Sequence, residues 1–518
     1  MDSIKNNSKK VSLLDGKIFW PSVIIMVALG ILFSMYESSS VDVLNGIFDV
    51  IVNKFSWGYT WYATILVGLG FYIAFSKYGK VVIGSPEDKP QFSMFEYASI
   101  LIAMGLGSTI MRTGMMQWAS VAINPPFGIE PLSKEALMWG NPYGMFLWSL
   151  QTFAIFVMSA PAMAYILHVR KRPLLRISEA CRCVFGDKFT DGLGGKALDV
   201  LFLVSIMAGA GCTLGLGTPI VTTLLGKMFG IKTTFALTLI ITIIWIIAFT
   251  ASAYLGIEKG IKRLSTFNMY LAGVFAIFIL LIGPGVFILN QFTDSVGFLI
   301  KNYLDISLYS DSLSSSAGYV QRYTVFWFAY CATWALLHSV FAATISKGRT
   351  IKEMILTYFF APLLLSWLAT GLLGGLSMHQ YLTGAVPVID IVQNGGGSLV
   401  AIGEVLASLP LPMVVMSVFL FLTMIFLITT LDSTTYTIAA YVSNDDMSKN
   451  EPSQHVRLIS CFMISAFALV LMKIGGLAPL EVVSGLMGLP IIFVQFVTVY
   501  AAKKMMDQDK AWLYNIRK

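Results

Sequence analysis

The chain has 518 residues, of which 56% are hydrophobic and only 12% are charged. A water-soluble globule with this composition would expose far too much apolar surface. The formal net charge is +7, but the lysines and arginines fall in alternate loops rather than in one patch, so we expect no nucleic-acid partner.

Apolar runs close to the ~20 residues needed to cross a bilayer recur along the whole length. The sequence therefore predicts an all-α polytopic membrane protein with about twelve spans. These runs cover residues 18–35, 60–76, 95–123, 143–168, 200–225, 235–257, 266–289, 323–345, 354–376, 411–441, 459–473 and 482–502.

The positions of the basic residues predict the orientation of the chain. Lysines and arginines cluster in residues 5–17, 77–80, 170–188, 259–263 and 347–352, whereas the long loop 377–410 contains none. Because positive loops stay in the cytoplasm, we expect a protein of the cell membrane with both termini on the cytoplasmic side. The predicted organisation is a cytoplasmic tail (1–17), a single membrane domain (18–502) and a short cytoplasmic tail (503–518).

The five cysteines lie in predicted spans or cytoplasmic loops, so we expect free thiols. Cys181 and Cys183 have neither the spacing nor the nearby histidine pair of a zinc site. The first apolar run lacks a small-residue cleavage site and is expected to remain as a span.

The third span contains the run AMGLGST from Ala103 to Thr109, which places small and hydroxyl residues at mid-membrane. Such a run predicts a broken helix lining a cavity, although small residues equally allow close helix packing. Arg112 follows in the same span, where a charge is costly unless it faces a cavity or a partner. It is either a functional residue or a structural ion-pair partner.

Aromatic residues recur at three and four positions in the eighth span, at Tyr323, Trp327, Tyr330 and Trp334. This spacing places them on one helix face, where they either bind a cation or pack against neighbouring helices. His338 continues the stripe by one turn, a position also typical of a packed histidine. Near Asp432, the hydroxyl run 429–435 either coordinates a small cation or bonds to the preceding turn.

Several motifs, in order along the chain, resemble those of the betaine/choline/carnitine transporter family. They are NPPFGIEP at 124–131, GCTLGLGTP at 211–219, GIKRLS at 260–265, FTDSVG at 292–297, YTVF at 323–326 and ISKGRT at 345–350. Several of these segments are most similar to the carnitine branch. The resemblance implies a leucine-transporter-like fold, in which two inverted five-helix repeats follow two extra helices. It also implies homotrimers, with residues 293–308 as an amphipathic helix.

The resemblance further implies a substrate site between the third, fourth and eighth spans. The expected site residues are Gly105, Gly107, Thr109, Arg112, Trp148, Phe153, Phe156, Tyr323, Tyr330, Cys331, Trp334 and His338. Tyr330 and Cys331 replace two tryptophans of the family pattern, and each lost tryptophan is worth about 0.5 to 2 kcal/mol of cation–π attraction. Arg112 stands where the family usually has phenylalanine.

Sodium is the one inorganic partner that the resemblance implies, as a coupling ion, and no other cofactor is expected. Phe426, Thr429 and Thr430 match the sodium-site positions of sodium-driven members, together with backbone near Ala103 and Leu106. Asn268 stands where sodium-independent carnitine exchangers carry an arginine. The unexpected Arg112, however, leaves ion-independent exchange open.

The sequence therefore predicts a secondary active transporter for a betaine-like or carnitine-like quaternary ammonium compound. It acts by alternating access, as a sodium symporter or a substrate/product exchanger. The alternatives are a transport-related membrane sensor, which the short tail after Ala502 makes a poorer match, and a transporter of a different small zwitterion. An enzyme is not expected, because neither a metal constellation nor a nucleophile with a positioned base is present.

Overall fold

The computed structural model describes residues 14–35, 46, 50, 53–107, 109–256, 260–313, 318–447, 451–474 and 478–517. These residues are almost entirely helical, and they contain isolated β-bridges but no longer strand. The α-helices are α1 (Gly16–Met35), α2 (Ser56–Phe75), α3 (Met94–Leu106), α4 (Thr109–Ile123), α5 (Lys134–Leu147), α6 (Leu150–Val157), α7 (Ala160–Ala164), α8 (Ile177–Phe185), α9 (Asp187–Thr190), α10 (Leu193–Phe229), α11 (Phe235–Gly256), α12 (Lys262–Ile282), α13 (Gly285–Leu308), α14 (Phe326–Ile345), α15 (Ile351–Ala369), α16 (Gly375–Leu382), α17 (Val388–Asn394), α18 (Gly397–Ala407), α19 (Pro412–Val442), α20 (Gln454–Ile474), α21 (Ala478–Gln508) and α22 (Ala511–Tyr514).

The predicted all-α polytopic fold is confirmed. Among the described residues, nine helices are long and apolar enough to cross a membrane, or ten if the bent pair α3 and α4 forms one span. The predicted runs 18–35 and 459–473 lie on α1 and α20, whose side chains are described only in part. Helix boundaries differ from the predictions: the fourth span begins at Lys134 rather than at residue 143, and the predicted run 200–225 lies within the longer helix α10.

In the described part of the chain, short π-helical segments that interrupt or extend the spans include Tyr165–Val169, Val320–Val325 and Thr370–Gly374. In a π-turn the backbone hydrogen bond runs from i to i+5, so one residue is added per turn and the local hydrogen-bond ladder is reset. Val320–Val325 leads directly into α14, so the eighth span starts about three residues earlier than the sequence predicts.

The centre of the protein is α14. Nearly all of its side chains are buried, and it packs mainly against α21 and α6. The burial of its whole circumference by other helices distinguishes α14 from a helix that faces lipid. By contrast, α12 exposes a stripe of large apolar residues, including Val274 and Leu281, as expected for a helix in contact with lipid.

Capping boxes start two of the helices that surround the core. Ser93 and Glu96 cap α3, and Thr350 and Glu353 cap α15. Between them, Arg349 donates to the carbonyl of Phe92 at 2.7 Å, and its guanidinium lies 4.1 Å from the centre of the Tyr97 ring. The start of α3 is therefore joined to the end of α14.

The C-terminal segment closes the same side of the molecule. Residues 507–517, which we call the C-terminal clasp, pair through Ile516 with Val81, while Val82 pairs with Thr350. The Lys77 ammonium lies 3.3 Å from the centre of the Trp512 ring. The predicted C-terminal tail, 503–518, begins within α21, which continues to Gln508. The residues after Gln508 pack against the segment around Val81 and Val82.

Candidate functional site

The break between α3 and α4 defines one wall of an internal site. The two helices meet at 63°, and Gly107 has φ 48° and ψ −154°, a conformation that other residues rarely adopt. A Cβ atom added at Gly107 would lie only 2.8 Å from Thr430 Oγ1. The helix break expected from the small-residue run is therefore present, although Ser108 lies outside the described residues.

A second irregularity, the kink between α5 and α6, carries Trp148. The kink frees several carbonyls, and each finds a side-chain donor, as a membrane interior requires. The Phe146 carbonyl accepts from Ser149 Oγ at 2.6 Å, and the Trp148 carbonyl accepts from Ser366 Oγ at 3.0 Å. The Leu147 carbonyl accepts from Trp327 Nε1 at 2.7 Å. The kink is thus stabilised from α14 and α15, which fixes the position of Trp148.

The aromatic side chains of α14 form a continuous row that meets this kink. The Trp327 ring lies edge-on to the Trp148 ring, with 4.8 Å between centroids. The Tyr330 ring follows at 5.9 Å from Trp327, and the Trp334 ring at 6.4 Å from Tyr330. The stripe predicted from the sequence therefore faces the interior, where ring faces can attract a cation.

Trp334 has an unusual environment. Its indole Nε1 is buried and has no hydrogen-bond partner among the described residues. Its ring lies against α10 at Gly209, where an added Cβ atom would stand 2.9 Å from Trp334 Cε2. The lack of a side chain at Gly209 thus allows the ring to approach the helix, while the free N–H remains available to a ligand.

His338 lies at the end of the row and is fixed by its neighbours. Its ring stacks on Phe156 at 4.1 Å with 9° between planes, and its Nδ1 is 2.5 Å from the Tyr358 hydroxyl. These contacts match the packed-histidine alternative, although the ring also borders the cavity.

These elements enclose a cavity of about 30 Å³. That is room for roughly two water molecules, so a trimethylammonium group requires the surrounding rings to move apart. Its lining residues are Met104, Gly105, Gly107, Thr109, Trp148, Phe156, Thr213, Trp327, Tyr330, Cys331, Trp334, His338 and Thr430.

Most of the expected substrate-site residues line this cavity, but three do not. Phe153 packs behind the wall, 6.4 Å from the Trp148 ring. Tyr323 stacks on Tyr319 at 4.5 Å. Arg112 is partly buried on α4, one turn beyond Thr109, and is not a lining residue.

Four lining residues, Met104, Thr213, Trp327 and Thr430, were absent from the expected substrate set, and of these only Thr430 was expected elsewhere, at the ion site. Trp327 belongs to the aromatic stripe and was recognisable from its spacing. Met104 lies inside the small-residue run. Thr213 is a single hydroxyl residue in a long helix, and nothing in the local sequence distinguishes it.

A group of oxygen atoms lies beside the cavity, where α3 meets α19. Thr430 Oγ1 is 3.0 Å from the Ala103 carbonyl and 2.9 Å from the Phe426 carbonyl. Thr429 Oγ1 instead bonds within its own helix, to the Ile425 carbonyl at 2.9 Å. Of the expected ion-site residues, Ala103, Phe426 and Thr430 are therefore brought together, while the Leu106 side chain lies outside the described residues.

Two further hydroxyls of the run 429–435 bond within their own helix. Ser433 and Thr434 donate to the carbonyls four residues earlier, each at 2.8 Å, which matches the alternative of bonding to the preceding turn. The Asp432 carboxylate accepts a hydrogen bond from Ser252 of α11.

Within the described part of the chain, no group of three or more histidine, cysteine or acidic side chains is placed to hold a metal ion. Four of the five cysteines, Cys181, Cys183, Cys331 and Cys461, are free thiols, as expected.

The fold and site together define a membrane-spanning helical protein with an aromatic cavity at a helix break. The model of the betaine/carnitine/choline transporter family (BCCT) matches residues 17–511, and the chain belongs to that family. It is a transporter and not an enzyme. Among solved structures, the chain is similar to a Na⁺-coupled sialic acid symporter, described in a substrate-bound outward-open state with a novel Na⁺ site. That likeness has 12% sequence identity and a TM-score of 0.48, and it covers 87% of each chain.

Proposed function

We propose that the protein is a secondary active transporter of a carboxylated quaternary ammonium compound, betaine-like or carnitine-like, that alternates access to the aromatic cavity. The observation that carries this proposal is the row from Trp148 to Trp334, which meets the helix break at Gly107. Quaternary ammonium groups cannot lose their charge, and desolvated aromatic faces stabilise them by about 2 kcal/mol or more.

The substrate carboxylate is assigned to the α4 side of the cavity. Thr109 lines the cavity, and Arg112 follows one turn later, about 4.5 Å further along the helix axis. The guanidinium group is suited to paired recognition of a carboxylate. This assignment predicts selection of betaine or carnitine over choline, which has no carboxylate.

Sodium is the proposed coupling ion, bound where α3 meets α19. The Ala103 and Phe426 carbonyls each lie within 3.0 Å of Thr430 Oγ1. Carbonyls at a helix break are typical ligands of Na⁺ in transporters. Because the same break borders the aromatic cavity, ion binding and substrate binding share one flexible element.

Uptake by proteoliposomes tests both parts of the proposal. Labelled glycine betaine, carnitine and choline are offered with an inward sodium gradient, with equal sodium on both sides, and in sodium-free buffer. A carboxylated substrate should accumulate only with the gradient. If uptake in sodium-free buffer equals uptake with the gradient and requires substrate inside the vesicle, the protein is an exchanger. If none of the three compounds is taken up, the substrate assignment is wrong.

The proposed assembly is a homotrimer in the cell membrane with both termini in the cytoplasm. Helix α13 exposes Val286, Ile300 and Leu304 beside the polar residues Asp294 and Lys301. A surface helix with such an apolar stripe is suited to contact with another subunit. Light scattering of the detergent-solubilised protein, corrected for bound detergent, should give three chains, and Leu304→Gln should shift the mass towards one chain.

A further inference from the structure

A second cavity lies outside the aromatic site and is much larger, at about 250 Å³. It occupies the space between α12, α13, α15 and α19, with α4 at its floor. Every residue that lines it is Ile, Leu, Met, Phe, Ala or Gly. A zwitterionic substrate would lose its hydration there and gain no polar contact in return.

The cavity is elongated along the helices. One wall follows α12 from Met269 to Leu280, a distance of about 16 Å. The facing wall runs from Leu365 to Leu373, or about 12 Å. We call this space the apolar trough. Its long axis follows the two helices, and its length suits a hydrocarbon chain rather than a single side chain.

The apolar trough is continuous with the surface that faces the bilayer. On α12 the adjoining residues Val274 and Leu281 are 65% and 78% exposed. On α15 the rim includes Leu368, which is 55% exposed.

The floor of the trough is buried protein. Met111 is 5% exposed and Phe426 is 3% exposed, and both line the trough. Phe426 also supplies the carbonyl that lies 2.9 Å from Thr430 Oγ1, and Met111 stands in the first turn after the helix break. A ligand in the trough therefore packs against the outer side of the break.

We infer that the apolar trough binds one acyl chain of a membrane phospholipid, inserted between α12 and α15 as far as Met111 and Phe426. The acyl chain makes hydrocarbon contacts with the lining that neither water nor a polar ligand could make in an apolar cavity. The occupant is identified by the membrane continuity, the apolar lining and the length of the trough.

Photolabelling tests the inference directly. The purified protein is placed in nanodiscs with a phospholipid that carries a diazirine near the end of one acyl chain, irradiated without substrate or sodium, and digested for mass spectrometry. Label is expected on Met111 or Phe426, which annular lipid cannot reach. The readout is independent of transport, so it stands or falls separately from the proposed substrate and coupling ion.

Gly273 provides a variant that fills the trough. Gly273 lines it, and a Cβ atom added there meets nothing within 4 Å, so Gly273→Leu should fold while its side chain occupies the ligand's space. Labelling of the floor should fall several-fold. Gly68→Leu is the matched control, because Gly68 is exposed on α2 and also has open space. Ala276→Phe, also in the trough, serves if Gly273→Leu is not monodisperse.

Two results would overturn the inference. One is a wild-type protein with no label on the floor, or with label that Gly273→Leu leaves unchanged. The other result comes from a photoreactive amino acid placed at Ala276. If it forms an adduct between two protein chains rather than with lipid, the trough is occupied by a second copy of the chain.

Discussion

Gly107 is the position at which a single methyl group should disturb the site most. Gly107→Ala places a Cβ atom 2.8 Å from Thr430 Oγ1 and forces alanine into φ 48°, ψ −154°. This strained backbone conformation alone costs about 1–3 kcal/mol. That free energy corresponds to roughly 5- to 150-fold in the equilibrium between the intact and the disturbed helix break. The steric contact adds to this by displacing the Thr430 hydroxyl from the Ala103 carbonyl.

Gly105→Ala is the matched comparison on the same helix. Its added Cβ atom would be 3.7 Å from the Tyr358 hydroxyl and 3.8 Å from His338 Cε1, which are ordinary contacts. Alanine is also the better helix former by about 1 kcal/mol. Gly105→Ala should therefore keep the wild-type thermal midpoint, whereas Gly107→Ala should lower it.

The assay is thermal unfolding in detergent at a fixed scan rate, with sodium or potassium at equal ionic strength. Sodium should raise the midpoint of the wild type, because a ligand that binds only the folded state stabilises it. Gly107→Ala should lose this sodium response. If the two alanine variants behave alike, the strained break and its contact with Thr430 are not what holds the site together.

Trp334→Ala should weaken substrate binding by about 1–2 kcal/mol through loss of a cation–π face, as measured by tryptophan fluorescence titration. Thr430→Val keeps the side-chain shape and removes the hydroxyl, so the sodium concentration for half-maximal uptake should rise by roughly tenfold, corresponding to the loss of one ion–dipole contact of about 1.4 kcal/mol. Arg112→Gln should reduce the preference for betaine over choline, and Arg112→Lys should restore it only in part because lysine lacks the paired donors. At the loop of α8 and α9, hydrogen bonds from Arg182 hold the pKa of Asp191 below its ordinary value, so the ion pair persists above that ordinary value and is lost as the pH falls through the lowered one. The protection of this loop against hydrogen exchange, corrected for the intrinsic pH dependence of amide exchange, should fall on acidification, and Arg182→Gln should make it low at both pH values.

Two of these variants have a matched control in the chain. Trp57 is exposed on α2, so Trp57→Ala should leave substrate binding intact. Thr423 is buried on α19 and bonds only to Phe419 of its own helix at 2.8 Å, so Thr423→Val should leave the sodium response unchanged. Equal effects of Thr430→Val and Thr423→Val, or an unaltered substrate preference in Arg112→Gln, would contradict the corresponding assignments.

The sequence predicted those parts of the site that depend on local pattern. The spacing of Tyr330 and Trp334 predicts a shared helix face, and the small residues around Gly107 predict a break. Both features are present. The homologous motifs identify the family, which composition and periodicity alone do not.

The kink at Trp148 was not predictable in the same way. No proline or glycine stands at residue 148, and Pro142 lies within α5. The kink persists because donors on distant helices, Trp327 and Ser366, satisfy its freed carbonyls. Such long-range hydrogen bonds leave no periodic signal in the sequence. The position of Thr213 in the cavity wall likewise leaves no signal in the sequence around it.

The C-terminal clasp has a consequence for the order in which the protein is assembled. Residues 507–517 pair with segments near residues 78 and 82, and Tyr78 and Asp507 are 429 positions apart in the chain. Contacts of such sequence separation form late, because a long loop must close first. During synthesis, the backbone around Val82 therefore cannot pair with residues 515–516 until almost every helix has been made. A ribosome-bound chain that stops before Asp507 should remain accessible to proteases at residues 77–83, and these residues should become protected only after residues 507–517 have left the ribosome.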